Sequence, residues 1–152
     1  MLEASEIRNA SILIVDDQEA NVLLLEQMLQ NSGYTRITTT QDPTTVVGLH
    51  QQHRYDLILL DLQMPVMDGF AVLEALKVVD PGGYLPVLVI TAQPNHKLQA
   101  LKAGAKDFVS KPFDLVEVQT RIHNMLEVRL LYRRLADYNR QLEQTVLDRT
   151  AE

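Results

Sequence analysis

The sequence predicts an α/β fold: a doubly wound, five-stranded parallel sheet with helices on both faces, followed by an extended C-terminal helix. Short apolar runs typical of strands buried on both faces recur along the chain. Segments whose apolar residues are spaced by helical turns lie between these runs, so the pattern is a βα unit repeated five times. The predicted strands are residues 12–15, 37–40, 57–60, 87–90 and 108–109.

The expected helix boundaries carry residues that cap helices. Gly33 and Gly104 fall where two helices should end, a position that favours glycine. Asp42 offers an N-cap followed by Pro43 in the first turn, and Asp114 opens the last helix. The turn-spaced apolar residues of the helices between the strands are Leu25, Met28 and Leu29, then Val72, Leu76 and Val79, then Leu98 and Leu101.

The chain is predicted to consist of a globular domain at residues 1–126 and a helical extension at 127–152. No glycine or proline follows Leu126, so the last helix should continue outward. A heptad-like seam favours a dimeric coiled coil that links to an output domain of a longer protein. The alternatives are a helix that folds back on its own domain and a solvated tail. The seam consists of Val128, Leu131, Leu135, Tyr138, Leu142 and Thr145.

Composition narrows the classes of function. A formal net charge of -6 gives no reason to expect direct binding to nucleic acid or to an acidic membrane. The absence of cysteine excludes disulfides, thiolate catalysis and thiolate metal sites. No apolar run approaches the roughly 20 residues of a membrane span, and there is no signal-peptide core. These features favour a cytoplasmic protein.

Acidic residues follow two of the predicted strands. Asp16 and Asp17 come directly after the first apolar run, and Asp61 comes directly after the third. If these strands are neighbours, as in the order 2-1-3-4-5, three carboxylates converge in the crevice where ligands of such sheets bind. Clustered carboxylates require a cation, and hard oxygen donors suit Mg²⁺. The alternative is that each aspartate only caps the turn or helix that follows.

A hydroxyl and an ammonium group are expected at the same edge. Thr91 ends the fourth apolar run and Lys111 follows the fifth. Together with the aspartates they form a set suited to phosphoryl transfer: a carboxylate nucleophile, a metal held by neighbouring carboxylates, a hydroxyl donor and a fixed positive charge.

Across residues 11–126 the chain resembles the response-regulator receiver family of two-component signalling. The resemblance rests on Asp16-Asp17, the segment DLQMPVMDG that Asp61 opens, Thr91-Ala92 and Lys111-Pro112-Phe113. It implies a flavodoxin-like strand order 2-1-3-4-5. It also implies that Asp61 accepts a phosphoryl group from a phosphohistidine of a histidine kinase or histidine phosphotransfer protein. Such a domain catalyses its own phosphorylation and dephosphorylation, and no separate substrate turnover is predicted.

The resemblance assigns a metal site to this chain. Asp17, Asp61 and the backbone carbonyl of Gln63 would ligate Mg²⁺, and Asp16 would act through a metal-bound water.

The resemblance also assigns the phosphoryl-binding and switch residues. Thr91 and Lys111 would bind phosphoryl oxygens. Thr91 would then move toward the phosphoryl group while the ring of Phe108 turns inward; the alternative is that Phe108 is a plain core aromatic. The bond between Lys111 and Pro112 is expected to be cis.

Two other classes of function are alternatives to the receiver. A haloacid-dehalogenase-type phosphatase also forms an aspartyl phosphate, but that family has an Asp-x-Asp pair. In this chain the second position of the pair, residue 63, is glutamine. A stand-alone phosphorelay shuttle is a second alternative. The extension resembles the linkers that join receivers to HD-GYP cyclic-di-GMP phosphodiesterases. The histidines at positions 50, 53, 96 and 123 lack a metal-site spacing and are expected to be exposed to solvent.

Overall fold

The computed structural model describes residues 3–62, 64, 68–79, 85–92, 96–112 and 114–151. Within these residues, five parallel strands form one sheet in the order β2-β1-β3-β4-β5. The strands are β1 Ser11–Val15, β2 Arg36–Thr40, β3 Leu57–Asp61, β4 Val87–Thr91 and β5 Asp107–Ser110. The helices are α1 Ala4–Arg8, α2 Glu19–Asn31, α3 Val46–His53, α4 Gly69–Val79, α5 His96–Lys102 and α6 Leu115–Ala151, with a 3₁₀ turn at Pro43–Thr45. The predicted fold class and strand order are confirmed.

The side chains of the inner strands alternate between two hydrophobic cores. Ile12 and Ile14 of β1 lie in the core that α1, α2 and α6 cover. Leu13 and Val15 lie in the core that α3, α4 and α5 cover. Helices therefore pack on both faces of the sheet, which is why β1, β3 and β4 are buried along their whole length.

The two outer strands differ from the prediction of strands buried on both faces. Every residue of β2 is at least partly exposed, and only Val109 of β5 is fully buried. Each of these strands has a neighbour on one side only. The threonine-rich sequence of β2 suits such an edge, because a hydroxyl tolerates partial contact with water.

A short helix, α1, precedes the sheet and was not predicted. It has a capping box in which Glu3 and Glu6 bond to each other's backbone N–H groups. Its one buried residue, Ile7, packs into the core beneath α2 and α6. One buried residue in five gives no helical period, so the sequence carried no apolar signal for this element.

The predicted helix boundaries are confirmed. Gly33 and Gly104 adopt positive φ angles of 97° and 117°, which glycine accepts without strain. The Asp42 carboxylate accepts a hydrogen bond from the Thr44 N–H at 3.0 Å, and the bonds from Thr44 lower the pKa of Asp42. Asp114 caps α6, because its carboxylate accepts from the Val116 N–H at 2.8 Å.

The last helix continues without a break from Leu115 to Ala151. The apolar seam residues Val128, Leu131, Leu135, Tyr138 and Leu142 are 43–58% exposed, so this stripe faces away from the domain. No helix among the described residues combines the length and apolar character needed to cross a membrane.

The expectation that the histidines are exposed was wrong for His50. Its side chain is fully buried, and its Nδ1 accepts a hydrogen bond from the Tyr55 N–H at 3.1 Å. The backbone of the turn after α3 thus uses the imidazole as a cap. His53 and His123 are exposed as expected, and the side chain of His96 lies outside the described residues.

Gly69 lies where two segments approach too closely for a side chain. A Cβ atom at this position would lie 2.6 Å from the Cα atom of Leu62 and 3.0 Å from the carbonyl oxygen of Asp61. Both contacts involve backbone atoms, which cannot rotate away. The glycine therefore allows α4 to begin directly against the end of β3.

We expect Gly69→Ala to lower the free energy of unfolding by about 1–3 kcal/mol, the usual range for forcing an extra carbon into a packed site. The matched control is Gly48→Ala within α3, where a Cβ would meet nothing within 4 Å. That substitution should stabilise the protein by roughly 0.5–1 kcal/mol through helix propensity. Urea unfolding of both variants measures the difference, and equal stabilities would contradict this account.

Candidate functional site

Three carboxylates meet at the carboxyl ends of two neighbouring strands. Asp16 and Asp17 follow β1 directly, and Asp61 is the last residue of β3. The parallel pairing of Val15 with Leu60 sets these strand ends side by side. One carboxylate oxygen from each aspartate lies within 4.8 Å of the other two. The convergence expected from the sequence is therefore present.

This cluster is shielded from water. Asp16 and Asp61 are 1% and 2% exposed, and Asp17 is partly buried. Asp16 Oδ1 accepts a hydrogen bond from the Gln18 N–H at 2.9 Å. Asp16 Oδ2 and Asp17 Oδ1 are buried without a hydrogen-bond partner in the described part of the chain. Buried carboxylate oxygens in this state are costly unless a cation approaches them.

Lys111 supplies part of the required positive charge. Its Nζ lies 3.3 Å from Asp61 Oδ2 and 3.8 Å from Asp16 Oδ2, and its side chain is 20% exposed. The Lys111 N–H donates to the Thr91 carbonyl at 2.9 Å, and the Lys111–Pro112 bond is cis, as the family resemblance implied. One ammonium group beside three carboxylates leaves two negative charges unbalanced.

The donor set fits a small divalent cation. Carboxylate oxygens are hard ligands of the kind that Mg²⁺ prefers, and a 2+ ion would balance the remaining charge. Asp17 Oδ1 is buried without a hydrogen-bond partner among the described residues, and a bound cation would supply the contact that this oxygen lacks. Gln63, whose backbone carbonyl was expected to be a further ligand, lies outside the described residues.

The two predicted switch residues lie on adjacent strands beside the cluster. Thr91 is the last residue of β4 and is 1% exposed, and β4 pairs with β3 through Ile90 and Asp61. Phe108 of β5 pairs with Val89 and is partly buried against the core beneath α5. Thr91 therefore reaches the same edge of the sheet as Asp61, whereas Phe108 sits further back along the neighbouring strand.

A second charged group of residues, which was not predicted, lies at the amino ends of the strands. Asp56 directly precedes β3 and is 3% exposed, and two arginines of α6 contact its carboxylate. The only signal in the sequence is a charged residue directly before an apolar run, and many exposed strand ends share it.

The comparisons with known proteins agree with this geometry. A family model described as the response regulator receiver domain matches residues 12–123. The chain belongs to this family. Receiver domains bind Mg²⁺ at an acidic site, and in this receiver the cluster of Asp16, Asp17 and Asp61 has the composition for it. The match favours the receiver over the haloacid-dehalogenase-type alternative.

The alignments with individual relatives cover most of this chain but only part of the longer relatives. The response regulator PleD of Caulobacter vibrioides is 39% identical over 125 residues, which cover 81% of this chain and 27% of PleD. A probable cyclic di-GMP phosphodiesterase of Vibrio cholerae is 30% identical across 99% of this chain and 34% of its own length. The chain spans between about a quarter and about a half of the length of the curated relatives it matches.

One structurally similar receiver domain has been solved with bound magnesium. The receiver domain of the sensor histidine kinase PA1611 from Pseudomonas aeruginosa PAO1 has a magnesium ion coordinated in its active-site cleft. The two structures align with a TM-score of 0.71 and 30% sequence identity, covering 78% of this chain and 98% of that one.

We expect Asp17→Asn to have two opposite effects on stability. Without metal, the variant should be more stable by roughly 1 kcal/mol, because one of three like charges is removed. Saturating Mg²⁺ should stabilise the wild type by about 2.7 kcal/mol at a hundredfold excess over Kd, and should stabilise the variant much less.

Thermal unfolding with and without Mg²⁺ measures both effects. Glu143→Gln, which removes an exposed charge far along α6, is the control and should behave as the wild type does. If Asp17→Asn kept the full response to Mg²⁺, Asp17 would not be a ligand of the ion.

Proposed function

We propose that this receiver accepts a phosphoryl group on Asp61 from a phosphohistidine of a histidine kinase or histidine phosphotransfer protein, in a Mg²⁺-dependent reaction. The resulting change in conformation controls an output domain or partner. The observation that carries the proposal is the position of the Lys111 ammonium, 3.3 Å from the buried Asp61 carboxylate within an acidic cluster. A phosphoryl-binding cation beside a carboxylate nucleophile is the arrangement that this chemistry requires.

In the transfer step, a carboxylate oxygen of Asp61 attacks the phosphorus atom. The new P–O bond forms as the P–N bond to the donor imidazole breaks, and the imidazole keeps the electron pair. Lys111 Nζ and the Thr91 hydroxyl bind the equatorial oxygens, on which the charge is spread. No proton has to leave Asp61, because the carboxylate is the reactive form.

A bound Mg²⁺ would neutralise the charge that otherwise keeps a carboxylate and a phosphoryl group apart. Asp17, Asp61 and the Gln63 backbone carbonyl would hold it, and Asp16 would contact it through water. Asp16 also contacts Lys111, at 3.8 Å, and so helps to keep the ammonium group at the site.

The surface beside the site suits a protein donor. The helices α2 and α6 both begin at this edge of the sheet and expose apolar side chains there. Leu23 and Leu24 on α2 are 55% and 45% exposed, and Leu115 and Val116 at the start of α6 are 38% and 68% exposed. A protein partner would bury these residues, whereas a small phosphodonor would not.

The switch in this proposal runs through Thr91 and Phe108. Phosphorylation draws the Thr91 hydroxyl toward the phosphoryl oxygens and leaves space for the Phe108 ring behind it. Phenylalanine has no hydroxyl group, so this step depends on ring packing alone. The surface formed by β5, α5 and α6 then changes shape.

The output of the switch lies along α6. The alignment with the probable cyclic di-GMP phosphodiesterase of Vibrio cholerae extends through the helical extension, which supports a link to an output domain of that class. The exposed seam on α6 supports homodimerisation as a coiled coil. A cytoplasmic location, without direct contact to nucleic acid or membrane, fits a partner of a histidine kinase.

Phosphorylation is tested by intact mass after incubation with acetyl phosphate. The wild type should gain the mass of one phosphoryl group only with Mg²⁺, and Asp61→Asn should gain none. Asp68→Asn is the matched control, because the exposed Asp68 carboxylate caps α4 by accepting a hydrogen bond from the Ala71 N–H at 2.9 Å, a role that asparagine can keep. No adduct and no binding of beryllofluoride by the wild type would sink the proposed chemistry.

Dimerisation is tested by sedimentation velocity with and without beryllofluoride. The wild type should shift toward a dimer with the ligand, and Leu135→Glu with Leu142→Glu should remain monomeric because charges enter the seam. Leu147→Glu is the control: Leu147 is 62% exposed but lies outside the seam. An unchanged wild-type monomer under both conditions would favour the stand-alone phosphorelay shuttle.

A further inference from the structure

The residue before β3 is a buried carboxylate at the opposite end of the strand from Asp61. Asp56 is 3% exposed. Its Oδ2 accepts hydrogen bonds from the Ser11 N–H at 3.1 Å and the Ser11 hydroxyl at 3.4 Å. The Asp56 N–H in turn donates to the Ser11 carbonyl at 2.8 Å. Asp56 is thereby fixed to the first residue of β1.

The other oxygen of Asp56 faces the helical extension. Arg133 Nη1 lies 2.6 Å from Asp56 Oδ1, and Arg129 Nε lies 3.6 Å from the same atom. The Arg129 side chain is 11% exposed, so this contact is largely removed from solvent. Both arginines lie beyond residue 126, one helical turn apart on the same side of α6.

Two further contacts hold the same part of α6. Leu130 packs against the core that α1, α2 and α6 share. Arg134 Nη2 lies 2.6 Å from Glu6 Oε2, so the short helix α1 contacts the extension as well. Farther along, Arg140 pairs with Asp137 within the helix itself, and Tyr138 and Leu142 are about half exposed.

We propose that Asp56 is an anchor that fastens the extension to the amino end of the sheet through Arg129 and Arg133. The helix up to about Arg134 then moves with the domain as one body, and independent motion of the extension begins only beyond it. The physical reason is that lifting the helix away would leave a buried carboxylate without its counter-charges, which is strongly unfavourable. Asp56 acts as a positioning residue, and the inference does not depend on the phosphorylation of Asp61.

The absence of cysteine allows a direct test with two spin labels. Gln52→Cys on α3 and Gln141→Cys on α6 both lie at exposed positions. When labelled chains are diluted with unlabelled chains, pulsed electron–electron double resonance reports the distance between the two labels within one molecule. Detachment at residue 127 would give the second label a lever of about 20 Å, so the distance distribution would broaden strongly.

The decisive variant is Arg133→Gln, alone and with Arg129→Gln. The native chain should give one narrow distribution, which broadens in these variants, and amide hydrogen exchange at residues 127–134 should become about tenfold faster. Arg133 is 53% exposed and Arg129 remains beside Asp56 in the single variant, so Arg133→Gln alone should leave the fold intact, and exchange in β1 and β3 of that variant should not change. Arg140→Gln, which removes a pair confined to the helix, is the matched control and should match the native chain.

Two outcomes would overturn the proposal. One is a native distribution as broad as that of the double variant, which would mean that the helix already swings at residue 127. The other is an Arg133→Gln, Arg129→Gln chain with native width and native exchange, which would mean that the packing of Leu130 and the pair of Arg134 with Glu6 hold the helix without Asp56.

Discussion

The close approach of three carboxylates at one edge of the sheet is the constraint on which the site depends. Strand order creates it, because β1 and β3 are neighbours, β1 is followed directly by Asp16 and Asp17, and β3 ends at Asp61. Mutual repulsion at this distance opposes folding and is tolerated only if positive charge is brought in. Lys111 brings one positive charge from the end of β5, and the remaining negative charge suits a divalent cation. Under the proposed function, the same positive charges would also offset the charge of an incoming phosphoryl group.

The strand β3 connects the two charged groups of the molecule. It is buried throughout and paired on both sides, with Asp61 at its carboxyl end and Asp56 just before its amino end. Five residues of strand span roughly 16 Å, so the proposed acceptor site and the proposed anchor are held at a fixed separation by a buried strand that is paired on both sides. In this proposal, the position of α6 relative to the acceptor is set by β3 rather than by a flexible joint.

Much of the domain could be predicted because the relevant signals are local. Apolar runs marked the strands, glycines marked helix ends, and the three aspartates were placed by the rule that strand ends share one edge. What escaped prediction depends on contacts distant in sequence. The burial of His50 depends on the Tyr55 backbone and the core around it, and the pairing of Asp56 with Arg133 joins residues 77 positions apart. No periodicity within a short window encodes such contacts.

The helical extension combines a feature that could be predicted from the sequence with one that could not. The seam that includes Leu131 and Leu135 was visible as a repeat, and its exposure agrees with that pattern. The same turns carry Arg129 and Arg133, which lie on roughly the opposite side of the helix given its 3.6-residue turn. One face can therefore stay fastened to the domain while the other remains open to a second copy of the chain. Anchoring and pairing do not compete for the same surface, so a coiled coil could form without releasing α6 from the sheet. In this proposal, any rotation of the domain would carry the first part of the seam, Val128 and Leu131, with it.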